Sequence, residues 1–211
     1  MGDFDSPRHR LNQAVVSGKI SGLVVGHVNP LERDSPLRAN FNLVCDAGAG
    51  KVILVPCEAY GGLAKSLCLH DHKDGLVSLV AHVAPSGNIG LGRCLVAEAV
   101  SSPLKGLGPD TNQVILEGAV TALDLSPVGR ADCFSLRMER DGKPFLVRCN
   151  VPGGGMRSFS EGDAVRVVGR MAPGMAVSVD YVERVVSRDN AKNEQSVKDL
   201  TRSRDDDGWG Y

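Results

Sequence analysis

Residues 132–150 read Asp-Cys-Phe-Ser-Leu-Arg-Met-Glu-Arg-Asp-Gly-Lys-Pro-Phe-Leu-Val-Arg-Cys-Asn. Phe134, Leu136 and Met138 alternate with Ser135, Arg137 and Glu139, the period of a strand with one buried face. Asp141-Gly142 follows, a dipeptide suited to a two-residue hairpin because both central positions of that turn take positive φ. The runs on either side are therefore expected to be antiparallel neighbours, with core residues on one face and arginines on the other.

The pattern occurs twice. Phe41-Asn-Leu-Val-Cys45, Gly50-Lys51 and Leu54-Val-Pro-Cys57 match Phe134-Ser-Leu-Arg-Met138, Gly142-Lys143 and Leu146-Val-Arg-Cys149 at offsets of 92 to 93 residues. Upstream, Leu23–Val28 aligns with Ile115–Val120 at an offset of 92; downstream, Val77–Pro85 aligns with Val165–Pro173 at 88. So long a period exceeds the unit of a solenoid, roughly 20–50 residues, and each copy is expected to be a small domain with its own core. The first copy has strand-like runs at 20–28, 41–45, 51–57, 76–83 and 94–100, with helical spacing of Leu63, Ala64, Leu67 and Cys68 between the third and fourth. The second has runs at 113–123, 132–140, 144–150, 164–171 and 175–186, where the Gly-rich link 151–160 leaves a helix short or absent. Five strands with a helix between the third and fourth is the order of an OB-fold barrel. The expected class is thus all-β with a short helix: two tandem OB-fold five-stranded barrels and a disordered C-terminal tail. Gly118 and Gly169 are read as places where a bent barrel strand coils or bulges.

The expected boundaries are a flexible arm over 1–16 with a short helical turn near Leu11 to Val16, a first barrel over 17–102, a Pro/Gly-rich linker over 103–111, a second barrel over 112–187 and a polar tail over 188–211. No apolar run of about 18 residues is present, and the N-terminus has no signal-peptide pattern, so a cytoplasmic protein without membrane contact is expected. The 6 cysteines are read as reduced thiols. Charge is balanced: Lys and Arg against Asp and Glu count 7 and 7 over residues 17–103, and 9 and 9 over 112–187. Nucleic-acid binding would therefore depend on charge gathered on one face.

Asn112-Gln-Val-Ile-Leu-Glu-Gly-Ala-Val, Phe134-Ser-Leu, Phe145-Leu-Val and Gly162-Asp-Ala-Val-Arg-Val-Val-Gly-Arg170 resemble the first four strands of bacterial single-stranded DNA-binding proteins. The polar tail closing on Asp205, Asp206, Asp207, Trp209 and Tyr211 resembles that family's acidic tip, although the usual closing Pro-Phe is missing and the strands carry few aromatics. The resemblance implies a non-enzymatic protein of the nucleoid, acting in DNA replication, repair or recombination. Its tip would recruit replication, repair or DNA-transfer proteins, and its chains would form a homo-oligomer, a dimer being favoured.

Sequence-tolerant binding of single strands needs cations for phosphates and flat faces for bases. The second copy offers Arg137, Arg148, Arg166 and Arg170 on strands, Lys143 at the hairpin and Arg157 in the Gly-rich loop. Phe159 is the candidate stacking residue there, while Phe145 is read as core; the first copy offers Lys51 and Tyr60. With Val44 and Pro56 at the places of Arg137 and Arg148, the first copy is electrostatically poorer, and the second is expected to dominate. Cys57, Cys68, His70 and His72 are zinc-ligand residue types, but their spacing fits no standard zinc pattern and Cys57 matches Cys149. No metal, cofactor or catalytic residue is nominated. RNA in place of DNA remains an open ligand, and the alternative reading is an OB module for protein interaction that binds no nucleic acid.

Overall fold

The computed structural model describes residues 11–32, 34–46, 51–69, 76–87, 92–101, 111–125, 131–153 and 155–185. The elements are β1 (Asn12–His27), β2 (Leu37–Asp46), β3 (Val52–Tyr60), α1 (Gly61–Leu69), β4 (Leu76–Pro85) and β5 (Arg93–Ser101), then β6 (Asn112–Asp124), β7 (Asp132–Arg140), β8 (Lys143–Val151), β9 (Ala164–Ala172) and β10 (Ala176–Arg184). Each set of five closes on itself. β1 pairs antiparallel with both β2 and β4, β2 with β3, β4 with β5, and β3 returns parallel to β5; β6 to β10 repeat these pairings. We call the two units barrel 1 and barrel 2.

Alternation fills each barrel. Phe41, Leu43 and Cys45 of β2 and Phe134, Leu136 and Met138 of β7 are buried, as are Val55, Cys57, Phe145, Val147 and Cys149 on the facing strands. The helix expected in the first copy is α1, which buries Ala64 and Leu67. In barrel 2 a single 3-10 turn, Met156–Ser158, takes its place. Asp141 at φ 51 and Gly142 at φ 72 form the tight turn between β7 and β8.

The start of the first copy requires a correction. Residues 12–16, expected in a flexible arm with a helical turn, belong to strand β1. The repeat of the first strand runs at an offset of 100, not 92: Asn12-Gln-Ala-Val-Val-Ser-Gly18 corresponds to Asn112-Gln-Val-Ile-Leu-Glu-Gly118. Packing explains why. A Cβ on Gly18 would lie 2.5 Å from the Val44 carbonyl oxygen, and one on Gly118 would lie 2.5 Å from that of Arg137, so both positions exclude any side chain where two strands cross closely. Gly26, the counterpart expected from sequence, has nothing within 4 Å. The two asparagines also do the same thing: Asn12 exchanges side-chain hydrogen bonds with the Val83 backbone (2.8 and 2.9 Å), and Asn112 with that of Met171 (3.0 and 2.8 Å). Four residues past each glycine the strand bulges, at Gly22 (φ 66) and Ala122 (φ 48).

The equivalent strand starts join the barrels. β1 pairs antiparallel with β6, Asn12 opposite Leu116, Ala14 opposite Val114 and Val16 opposite Asn112. Because Asn12 is equivalent to Asn112 and Val16 to Leu116, this contact is a pseudo-two-fold junction centred on Ala14 and Val114.

Candidate nucleic-acid interface

The β7–β8 hairpin carries the cations read from sequence. Pairing sets Ser135 opposite Arg148 and Arg137 opposite Leu146, so Arg137 and Arg148 share the outer face. Both are exposed, as are Lys143 at the turn and Arg157 on the 3-10 turn. Among the described residues none of these four takes part in an ion pair.

The β9 arginines are in a different state. Arg166 is 2.7 Å from Glu117 on β6 and 2.9 Å from Glu183 on β10, and Arg170 holds Asp180 through two hydrogen bonds of 3.1 and 2.9 Å. These carboxylates cancel the local field, and a phosphate must displace them to reach either guanidinium. Solvent screens these guanidinium groups, so exchange is not costly, but the net attraction is smaller than at an unpaired arginine.

Phe145 is buried in barrel 2. Phe159 is half-buried against the same core, and the Arg184 guanidinium lies 5.4 Å from its ring centroid. Arg184 is itself fixed by Asp163 at 3.0 Å, so one face of Phe159 is already covered by a cation. Tyr60 is 38% exposed and closes β3 of barrel 1. Its hydroxyl donates to Glu58 at 2.5 Å, and burial, followed by that hydrogen bond and the glutamate charge, pushes its pKa up to about 12. Glu58 is buried and also accepts from the Ser86 hydroxyl (2.7 Å) and the Gly87 N–H (2.9 Å). Burial alone would raise its pKa; the hydrogen bonds from Ser86, Tyr60 and Gly87 and the nearby Arg38 outweigh burial and hold it below the usual glutamate value.

Barrel 1 shows a different outer face. Val52 and Leu54 are 66% and 59% exposed beside half-buried Val44 and Pro56, and Lys51 is exposed at the start of β3. His82, at the position of Arg170, bonds Glu98 at 2.7 Å through Nδ1 and meets Arg140 of barrel 2 through Nε2. Arg140 escaped the sequence reading. Its signal was the alternation itself, which places it on the side of the hairpin opposite Arg137. Cys57 is buried, and desolvation raises its thiol pKa well above the ordinary value, which fits packing; Cys68 is exposed on α1. His70, His72, the 103–110 linker and the Asp205–Tyr211 tip lie outside the described residues. No helix among the described residues is long and apolar enough to cross a membrane.

No protein-family model matches the chain, and no curated protein matches it in sequence. Solved structures do match. The wild-type single-stranded DNA binding protein from Thermus aquaticus superposes with a TM-score of 0.65 at 18% identity, covering 85% of this chain and 95% of that one. This chain has the tandem OB fold. A deletion mutant of the same Thermus aquaticus protein gives a TM-score of 0.62 at 18% identity over 84% of this chain and 96% of that chain. The likeness spans both barrels, as the coverage shows. At this level of identity it concerns the fold, and the residues of the interface are this chain's own.

Proposed function

We propose that the chain binds single-stranded DNA without a catalytic step, chiefly through the outer face of the β7–β8 hairpin in barrel 2. The observation that carries this reading is the pair Arg137 and Arg148, adjacent on an exposed face and free of carboxylate partners among the described residues, on a fold shared with a protein described as binding single-stranded DNA. Lys143 and Arg157 extend the cationic track, Phe159 supplies an aromatic edge at its margin, and Lys51 marks the weaker equivalent in barrel 1. Arg166 and Arg170 act as a reserve, reached only by exchange with Glu117, Glu183 and Asp180. In this reading the Asp205, Asp206, Asp207, Trp209 and Tyr211 tip recruits replication, repair or DNA-transfer proteins in the cytoplasm at the nucleoid, with charge steering the encounter and aromatics supplying burial. Two chains pair as a homodimer.

Fluorescence anisotropy of labelled polythymidine and of a duplex, at low and near-physiological salt, tests the reading. Preference for the single strand, weakening with salt by about 0.7 log units per log unit of salt for each phosphate contact, is expected. Absence of binding at low salt would favour the second reading, a protein-interaction module, which the exposed Val52 and Leu54 of barrel 1 support.

A further inference from the structure

Two side chains of barrel 1 and one of barrel 2 form a relay across the junction. His82 on β4 bonds Glu98 on β5 through Nδ1 at 2.7 Å and meets Arg140, at the end of β7, through Nε2. A guanidinium has donors only, so Nε2 is the acceptor; Nδ1 then carries the hydrogen and donates it to Glu98. This contact between the barrels therefore requires a neutral imidazole in one tautomer. An imidazolium has no lone pair left, and its Nε2–H would face a second cation.

The repeat supplies the contrast. Arg170 stands at the position of His82 and Asp180 at that of Glu98, and each carboxylate is the extra residue of a bulge, Glu98 between Ala97 and Ala99 and Asp180 between Val179 and Tyr181. Arg170 holds Asp180 through two hydrogen bonds and, being an arginine, has no acceptor to offer another guanidinium. Barrel 2 thus has a permanently charged pair where barrel 1 has a titratable one with a third group attached.

We infer that His82 is a proton-sensitive latch, which in its neutral form holds the β7–β8 hairpin of barrel 2 against barrel 1 through Arg140, and on protonation keeps Glu98 and releases Arg140. The surroundings suit this exchange. The His82 side chain is 17% exposed; it lies opposite Val96 on β5, and the adjoining stretch of β1 is Asn12, Gln13 and Ala14, all uncharged. Its charged partners among the described residues are Glu98 and Arg140, with Asp141 3.6 Å beyond Arg140 and Lys143 lining the same cleft. The other contacts between the barrels do not depend on protonation near neutral pH: Arg93 donates to the Leu146 carbonyl, and β1 pairs with β6 through main chain. Acid therefore loosens one end of the hairpin while the barrels stay joined. The cleft of about 290 Å³ beside the latch, lined by Tyr60 and Val96 from barrel 1 and by Arg140 and Lys143 from barrel 2, widens as it opens. Because Arg137 and Arg148 are carried on the same hairpin, the latch sets where the cationic face stands relative to barrel 1.

The test uses the full chain without nucleic acid, so its outcome is separate from that of the single-strand reading. Hydroxyl-radical footprinting is compared on either side of the ordinary imidazole range, at about pH 8 and about pH 5.5, with exposed Tyr181 of barrel 2 as the internal reference. Oxidation of Tyr60 relative to Tyr181 is expected to rise about two-fold at the lower pH. His82→Gln, which keeps a donor for Glu98 and an acceptor for Arg140 but does not titrate, is expected to stay closed at both pH values. His82→Arg, a copy of Arg170, is expected to be open at both, with a melting curve to show that it is folded. Long-range nitrogen–proton NMR of the unmodified chain gives a check that needs no variant: at pH 8 the His82 hydrogen is expected on Nδ1. A hydrogen on Nε2 at that pH, an unmodified chain whose Tyr60 oxidation does not change, or a His82→Gln chain that opens in acid like the unmodified one would each overturn the inference.

Discussion

Barrel 2 presents Arg137 and Arg148 where barrel 1 presents Val44 and Pro56, on strands with the same pairings and the same buried alternation. The inward residues of the two hairpins are interchangeable in kind, Phe41 with Phe134 and Cys57 with Cys149, because both must fill a small closed barrel. The outward residues face water and are under no such constraint, so the two copies are free to differ there. Barrel 1 carries its distinct polar feature elsewhere: buried Glu58 gathers hydrogen bonds from Tyr60, Ser86 and Gly87, a cluster for which barrel 2 has no equivalent at Asn150 and Pro152. The duplicated scaffold thus carries a cationic outer face in one copy and an aromatic corner in the other.

The largest effect is expected from moving charge across that difference. Reversal of Arg137 and Arg148 together to Glu lowers polythymidine affinity about a hundred-fold at low salt, or about 2.7 kcal/mol, and flattens the log–log salt slope by about 1.4 for two lost phosphate contacts. The transplant Val44→Arg with Pro56→Arg raises affinity only a few-fold, and Arg166→Gln, which removes a cation already paired with Glu117 and Glu183, changes it less than three-fold. Anisotropy at three salt concentrations reads all three variants, and equal losses for Arg166 and for the hairpin arginines would erase the distinction drawn between them.

A second comparison concerns the shared skeleton. Gly18→Ala and Gly118→Ala each place a Cβ 2.5 Å from a carbonyl oxygen and are expected to cost about 1–3 kcal/mol in urea unfolding, alike in the two barrels. Gly26→Ala, with open space around it, is expected to cost less than about 0.5 kcal/mol. The reverse ranking would return the repeat to an offset of 92.

The smallest effect separates the barrels by pH. The pKa of Glu58 is depressed in the folded state, so its contribution to stability is fully present above the ordinary glutamate value of 4.5 and is lost as pH falls through the lower folded value. Protection factors against amide exchange near Gly87 and along β3 are therefore expected to fall below pH 4.5 before those of the equivalent amides around Asn150 do. A simultaneous fall would remove Glu58 as the source.

The hairpin at Asp141-Gly142, the alternation of β7 and β9 and the helix at 61–69 were legible because each is a local rule: a turn dipeptide, a period of 2, a period of 3.6. The first strand of barrel 1 was not, because a longer strand and a longer connection to β2 shift its repeat by eight residues against the hairpin (100 minus 92), and an apparent match at Leu23–Val28 concealed the better one at Asn12–Gly18. The Asn-Gln-x-x-x-x-Gly pair was visible in the sequence; its meaning depended on which carbonyl each glycine meets.

Composition and pattern alone determined two copies of a five-stranded barrel and the electrostatic inequality between them, since burial period and turn chemistry are written residue by residue. The tertiary structure decided which cations are unpaired and which are neutralised among the described residues, that Phe159 lies under Arg184, and that Tyr60, Arg140 and Lys143 line one cleft across the barrel junction. Those are distances between residues remote in sequence, and no local period encodes them.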